Sequence, residues 1–212
     1  MQSICGCDLC KITVGTPQYE KRDRTVFEWG RSKIEIDYVP EGGNNMFFIG
    51  VDLGTSAVKL LLMDENGKIH KIVSKEYPLY FPHPGWSEQK PEDWFEQSMA
   101  GLKELTAECD KSQVKGISFG GQMHGLVALD RDDNVIRPAI LWNDGRTGKQ
   151  VEYLNNTIGK EKLSKYTANI AFAGFTAPKI LWMKENEPDN FSRIVKIMLP
   201  KDYLAYKLSG SS

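Results

Sequence analysis

Residues 50–56, Gly50-Val51-Asp52-Leu53-Gly54-Thr55-Ser56, form the first stretch whose residue types could do chemistry. An apolar run ends in a carboxylate, a small-residue turn and two hydroxyls. A turn of small residues lets backbone N–H groups approach an anion closely. Thr55 and Ser56 add hydroxyl donors, and Asp52 at the strand end can hold a Mg²⁺ ion through water. Together Asp52, Gly54, Thr55 and Ser56 suit the phosphates of ATP. The pattern is neither G-x-x-x-x-G-K-[ST] nor G-x-G-x-x-G. An ordinary hairpin with a capped turn gives the same letters.

Two further stretches carry groups that recognise a polyol. Gln122-Met123-His124 follows a buried-strand pattern, and α/β sheets place ligands at strand ends. Gln122 and His124 offer hydrogen bonds to hydroxyls, and Met123 an apolar wall, although a lone histidine is as readily a structural residue. Trp142-Asn143-Asp144-Gly145-Arg146 supplies a flat apolar face, an amide, a carboxylate and a guanidinium within five residues. Trp142 could pack on a sugar or fill core. Asp144 could bond hydroxyls, cap a helix, or do both.

These residues need a scaffold. Phe47-Phe48-Ile49-Gly50-Val51 reads as a central strand, Val58 to Met63 as a second, and Ile69 to Tyr77 as a third. Asn66-Gly67 between the last two marks a tight hairpin turn. The domain thus opens on an antiparallel meander. Pro91 suits the first turn of a helix, with Trp94, Phe95, Met99, Leu102, Leu105 and Cys109 at helical spacing. Strands are expected over 114–119, 126–129 and 194–199, and helices over 145–157, 160–166, 177–186 and 201–208, with Asp144 and Thr176 as N-caps and Gly210 near the last end. The expected fold class is α/β, a mixed sheet with an antiparallel meander and flanking helices.

Residues 1–45 read differently. Cys5, Cys7 and Cys10 form C-x-C-x-x-C, but a structural zinc wants four ligands and the second knuckle is missing. Residues 24–39 alternate as a strand pair, Val26 and Glu28 against Ile34, Ile36 and Tyr38, with Gly30-Arg31-Ser32 able to turn between them. Pro40-Glu41-Gly42-Gly43-Asn44-Asn45 is a linker signal. The reading is a leader or non-native extension over 1–45, a separate domain over 46–212, and Met46 as the natural start.

Composition bounds the rest. The chain has 212 residues, 41% hydrophobic and 26% charged, with formal net charge −1. That is an ordinary globular composition without a basic nucleic-acid surface. No apolar run approaches the roughly 20 residues of a membrane span, and no signal peptide is evident. Four cysteines make no disulfide framework. A cytoplasmic setting is the default.

The phosphate-type turn and five further motifs in order carry a resemblance over nearly all of 46–212. Asp52 to Ser56 resembles the first phosphate motif of actin-like (ribonuclease H-like) ATPase folds. Pro84-Gly85-Trp86-Ser87-Glu88-Gln89, Gly120-Gly121-Gln122-Met123-His124-Gly125, Trp142 to Arg146, Gly174-Phe175-Thr176-Ala177-Pro178-Lys179 and Leu199-Pro200-Lys201-Asp202-Tyr203-Leu204 narrow it to the FGGY carbohydrate kinases, closest to the xylulokinase type. The resemblance implies ATP and Mg²⁺ as cofactors and a ketopentose, D-xylulose, as substrate. It implies a sugar site of Gln122, Met123, His124, Trp142, Asn143, Asp144 and Arg146. An Arg-Glu pair expected of glycerol kinases is not at 123–124. Gluconate kinases share a similar Gln-Met-His. The family's catalytic aspartate and second domain are expected beyond Ser212, so no catalytic base is assigned and these residues alone are expected to be inactive. A homodimer is a family expectation. The alternatives are another FGGY sugar kinase and a non-catalytic sugar-binding module.

Overall fold

The computed structural model describes residues 24–29, 32–37 and 46–209. Strands β1 (Arg24–Trp29) and β2 (Ser32–Asp37) pair antiparallel, with Phe27 opposite Ile34. The expected strand pair is present. Cys5, Cys7, Cys10, Gly30, Arg31, Tyr38, the 40–45 linker and Gly210 lie outside the described residues.

The meander follows: β3 (Phe47–Leu53), β4 (Ala57–Asp64) and β5 (Ile69–Glu76), all antiparallel. After the short β6 (Glu88–Gln89) and helix α1 (Pro91–Leu105), β7 (Val114–Gly121) returns parallel to β3. The sheet order is β5-β4-β3-β7. β3 is central, as its apolar run suggests, but not buried on both faces. Ile49, Val51 and Leu53 are buried while Phe48 and Asp52 on the opposite face are exposed. The period-2 alternation of strand side chains explains this.

The β4–β5 connection is longer than a two-residue hairpin. Asp64 Oδ1 accepts from Asn66 N at 2.9 Å and from Lys68 N at 3.0 Å, so residues 65–68 wrap around that carboxylate, with Gly67 at φ 78°. The Asp64 side chain offers the backbone a local alternative to the tight turn.

α1 starts with Pro91 in its first turn, where the missing N–H costs nothing. Its buried face is Pro91, Trp94, Ser98, Gly101 and Leu105. Met99 is exposed, and Cys109 lies beyond the helix end. Trp94 joins Val51, Leu60, Val73, Tyr203 and Leu204 in the main core.

The remaining elements are β8 (Val127–Leu129), β9 (Ala139–Ile140), α2 (Gly148–Glu152), a wide π-type stretch (Tyr153–Gly159), α3 (Lys160–Thr167), α4 (Thr176–Asn186), α5 (Pro188–Ser192), β10 (Lys196–Met198) and α6 (Pro200–Ser209). β9 pairs with β6, and β10 with β8. Leu126, Ala128, Ile140, Trp182 and Met183 form a second core. Gly125 lies against the Pro200 ring at the start of α6, where an added Cβ would stand 2.6 Å from Cγ.

Two expected caps are replaced. The residue before α2 is Thr147, not Asp144, and the one before α4 is Phe175, with Thr176 already helical. Asp144 is drawn away by a guanidinium two residues on, and the Thr176 hydroxyl donates instead to the His124 carbonyl at 3.1 Å. No helix among the described residues is long and apolar enough to cross a membrane.

Candidate functional site

β3 and β7 run parallel, with Asp52 opposite Gly120 and Leu53 opposite Gly121. Both strands therefore end at the same sheet edge. The 54–56 turn and the 122–125 loop leave that edge side by side, the place where open α/β sheets bind ligands. Gln122 N donates to Leu53 O at 2.7 Å and fixes the second loop to the first strand. Gly121 sits at φ 140°, and a Cβ there would lie 2.4 Å from Leu53 O. Only glycine permits that approach.

The 54–56 turn is tied from within. Gly54 N donates to Asp52 O (3.2 Å) and Ala57 O (3.0 Å), and the Tyr77 hydroxyl donates to Gly54 O. Burial, reinforced by the nearby Asp52 charge, pushes the Tyr77 hydroxyl well above its usual range, so it remains a donor. The Gly54 amide is thus committed to the turn. The amides of Thr55 and Ser56 enter no hydrogen bond with another described residue. Asp52 and Ser56 are exposed beside them.

Gln89 joins this turn to the neighbouring loop. It is fully buried, and its amide is saturated. Nε2 donates to Thr55 O (2.6 Å) and Pro78 O (3.2 Å), while Oε1 accepts from Trp94 Nε1 (3.0 Å) and Gln122 Nε2 (3.0 Å). Two N–H donors and two acceptor positions are all that a primary amide has. A second tie runs from Trp142 Nε1 to Thr55 Oγ1, 3.1 Å.

Around this floor stands an apolar wall. Met123, Trp142 and Phe172 are each about half exposed. His124 stacks on Phe175 with ring centroids 4.5 Å apart and planes 18° from parallel, and Phe172 meets Phe175 edge-on at 5.2 Å. His124 has φ 66°, a left-handed conformation uncommon in a side-chain-bearing residue. Gly174 lets its turn close on Trp142, since a Cβ there would stand 2.6 Å from Trp142 O. Asn143 is exposed next to Trp142.

Asp144 and Arg146 occupy a different place. Their side chains are 0% and 1% exposed. Arg146 binds Asp144 through Nε (2.9 Å) and Nη2 (2.7 Å) and Glu88 through Nη2 (2.7 Å). Its guanidinium lies 3.6 Å from the Trp86 ring centroid and 4.9 Å from that of Trp182. Asp144 also accepts from Ser87 N at 2.6 Å. Arg137 bridges Glu88 and Glu187 beside them. The resemblance implied both residues for a sugar site; the structure holds them in a buried cluster with Glu88 and the Ser87 amide, behind Trp142 and Asn143 in the chain. The reason is chemical: a planar fork and a carboxylate two residues apart satisfy each other, and burial between two indoles favours the flat guanidinium.

Sequence reasoning missed Gln89 and Lys179 as site-forming residues, although both lie in quoted motifs. Lys179 is fully buried, and its ammonium donates to the carbonyls of His124 (3.1 Å), Ala173 (3.4 Å), Gly174 and Phe175 (3.1 Å). Burial pushes it down to about 8, with Asp144 pulling upward and Arg146 adding to the fall. Two signals mark these residues in the sequence: a polar pair ahead of the α1 proline, and a lysine among apolar helix positions.

Residues 47–212 match the FGGY family of carbohydrate kinases, N-terminal domain. The chain belongs to that family. It is 46% identical over 165 residues to the xylulose kinase of Staphylococcus xylosus, covering 78% of this chain and 34% of that protein. Among solved structures, a xyloylose kinase from Brucella ovis superposes with a TM-score of 0.71 at 44% identity, covering 76% of this chain and 34% of that one. A gluconate kinase from Lactobacillus acidophilus superposes at 0.73 with 30% identity, covering 77% and 33%. The chain spans about a third of the length of the relatives it matches. Its fold is the actin-like ATPase fold of these sugar kinases, as the meander and the parallel β7 indicated.

Proposed function

We propose that this chain carries the phosphate turn and sugar wall of an ATP-dependent kinase that converts D-xylulose to D-xylulose 5-phosphate. The observation that carries the reading is the Trp142–Thr55 hydrogen bond, which sets a polyol-binding wall against an anion-binding turn. The similarity to xylulose kinases at this level of identity supports the choice of sugar.

Asp52, Gly54, Thr55 and Ser56 would take the phosphates, through the Thr55 and Ser56 amides and hydroxyls. Among the described residues no three His, Cys, Asp or Glu side chains gather as a cage. Asp52, exposed beside the turn, would hold a hydrated Mg²⁺, which would supply charge neutralisation during phosphoryl transfer. Gln122, Met123, His124, Trp142 and Asn143 would hold the ketopentose, with Asp144 and Arg146 bracing them from behind. Phosphorylation also needs a base at the attacking hydroxyl. Asp144 has its oxygens taken, so the base is expected from the remainder of a longer enzyme. A cytoplasmic location and a homodimer belong to the same reading.

A second reading is another FGGY sugar kinase, favoured by the superposition on a gluconate kinase. The deciding experiment is ATP- and Mg²⁺-dependent phosphorylation by the full-length protein across D-xylulose, D-ribulose, D-gluconate and glycerol. D-xylulose should give the highest kcat/KM, and a clear preference for gluconate would replace the substrate. The 212-residue chain assayed alone should bind sugar without turnover. Binding without turnover by the full-length protein as well would favour a sugar-binding module.

A further inference from the structure

The ammonium of Lys179 does work that a surface lysine cannot. It is sealed from solvent, and all its acceptors are main-chain carbonyls of two loops: His124 in one, Ala173, Gly174 and Phe175 in the other. The Thr176 hydroxyl joins at the same His124 oxygen, 3.1 Å away. These loops carry the two stacked rings of the wall, His124 and Phe175.

His124 is held at φ 66°. An uncommon backbone conformation of this kind persists when the surroundings over-determine it. The surroundings here are two donors from α4 on one carbonyl. Hydrogen bonds from a charged donor are roughly twice as strong as neutral ones. A cation buried without a carboxylate in hydrogen-bonding contact is costly and needs every proton used.

We infer that Lys179 is a positioning residue for the sugar, fixing the His124 backbone and the His124–Phe175 stack from behind while touching neither substrate. This rests on the sugar-kinase reading of the wall. Its effect is selective, because the phosphate turn is tied through Gln89, Tyr77 and Trp142, none of which Lys179 contacts in the hydrogen bonds described. A purely architectural lysine would disturb both halves of the site alike.

The test compares Lys179→Met and Lys179→Arg with the unaltered full-length enzyme. The methionine variant should raise the KM for D-xylulose about tenfold, leave the KM for ATP within about twofold, and lose the His124–Phe175 ring contact in NMR spectra. Arginine, which retains the charge, should recover part of the sugar KM. Should the methionine variant fail to fold, Thr176→Val removes the second donor to the same carbonyl and should shift the sugar KM alone, by a smaller factor. Equal rises in both KM values, or a ring contact that survives in Lys179→Met, would overturn the inference. If the unaltered enzyme neither binds nor turns over any sugar, the kinase reading fails and the sugar-positioning role with it, even where the ring contact is lost in the variant and Lys179 is shown to hold the two loops together.

Discussion

The indole nitrogen of Trp142 donates to the hydroxyl of Thr55 across 3.1 Å, joining two loops 87 residues apart in the chain. The bond uses an acceptor position on Thr55 and leaves the hydroxyl proton available. Trp142→Phe keeps a flat ring and deletes only the donor. The expected result is a drop of about three- to tenfold in kcat/KM with little change in thermal midpoint, since Trp142 is half exposed. Steady-state kinetics beside a melting curve checks both parts.

Gln89 should behave otherwise. Gln89→Leu strands the Trp94 and Gln122 donors and the Thr55 and Pro78 carbonyls in a buried place. A loss of about 2–4 kcal/mol in urea denaturation is expected. Gln89→Glu should be no better, because a carboxylate turns acceptor oxygens toward two carbonyls. A glutamate variant as stable as the parent would refute the saturated-amide account.

Arg146 distinguishes a residue behind the wall from one on it. Arg146→Ala leaves Asp144 and Glu88 buried without their shared partner and empties the space between Trp86 and Trp182. Destabilisation of about 3–5 kcal/mol is expected. Calorimetry should show that loss. A raised sugar KM at unchanged stability would put the guanidinium on the substrate instead.

Lys179 gives a pH signature. Its folded value, about 8, lies below its ordinary 10.5. Between those two pH values the unfolded chain holds the proton and the folded chain has released it. Folding stability therefore rises with pH through that window, with a slope approaching about 1.4 kcal/mol per pH unit. Below pH 8 both states are protonated and the contribution is flat. The measurement is stability from pH 7.5 to 10 for the parent minus Lys179→Met, which cancels other groups; a difference that does not rise with pH would contradict the burial argument.

Much of the architecture could be read from local pattern. The meander follows from the apolar runs over 47–51 and 58–63 and the alternation over 69–77, and α1 from Pro91 and the Trp94–Leu105 spacing, because both depend on neighbours in sequence. The edge carrying Gly54–Ser56 and Gln122–His124 was legible for the same reason, each lying where an apolar run stops. The two-residue strands β6 and β9 were not, since they exist only through their pairing with each other. Asp144 looked like a cap because caps and ion-pair partners share a residue type, and only the fold places Arg146 and Ser87 on its oxygens. Lys179 stands out locally only as a lysine among apolar helix positions; what it binds was not legible, because its four carbonyls come together only when two distant loops meet.

The contact between Gly125 and the Pro200 ring sets an order of events during synthesis. The loop bearing Met123 and His124 leaves the ribosome well before the proline that backs it. At roughly 5–20 residues per second, several seconds separate the two. Through that interval the sheet edge can form, but the sugar wall lacks α4 and α6 behind it. A nascent chain whose residues up to about 175 have cleared the ribosome, with α4 and α6 still inside it, should therefore expose Trp142, Phe172 and the Gln122–His124 loop together, a surface for chaperones to cover until those two helices emerge.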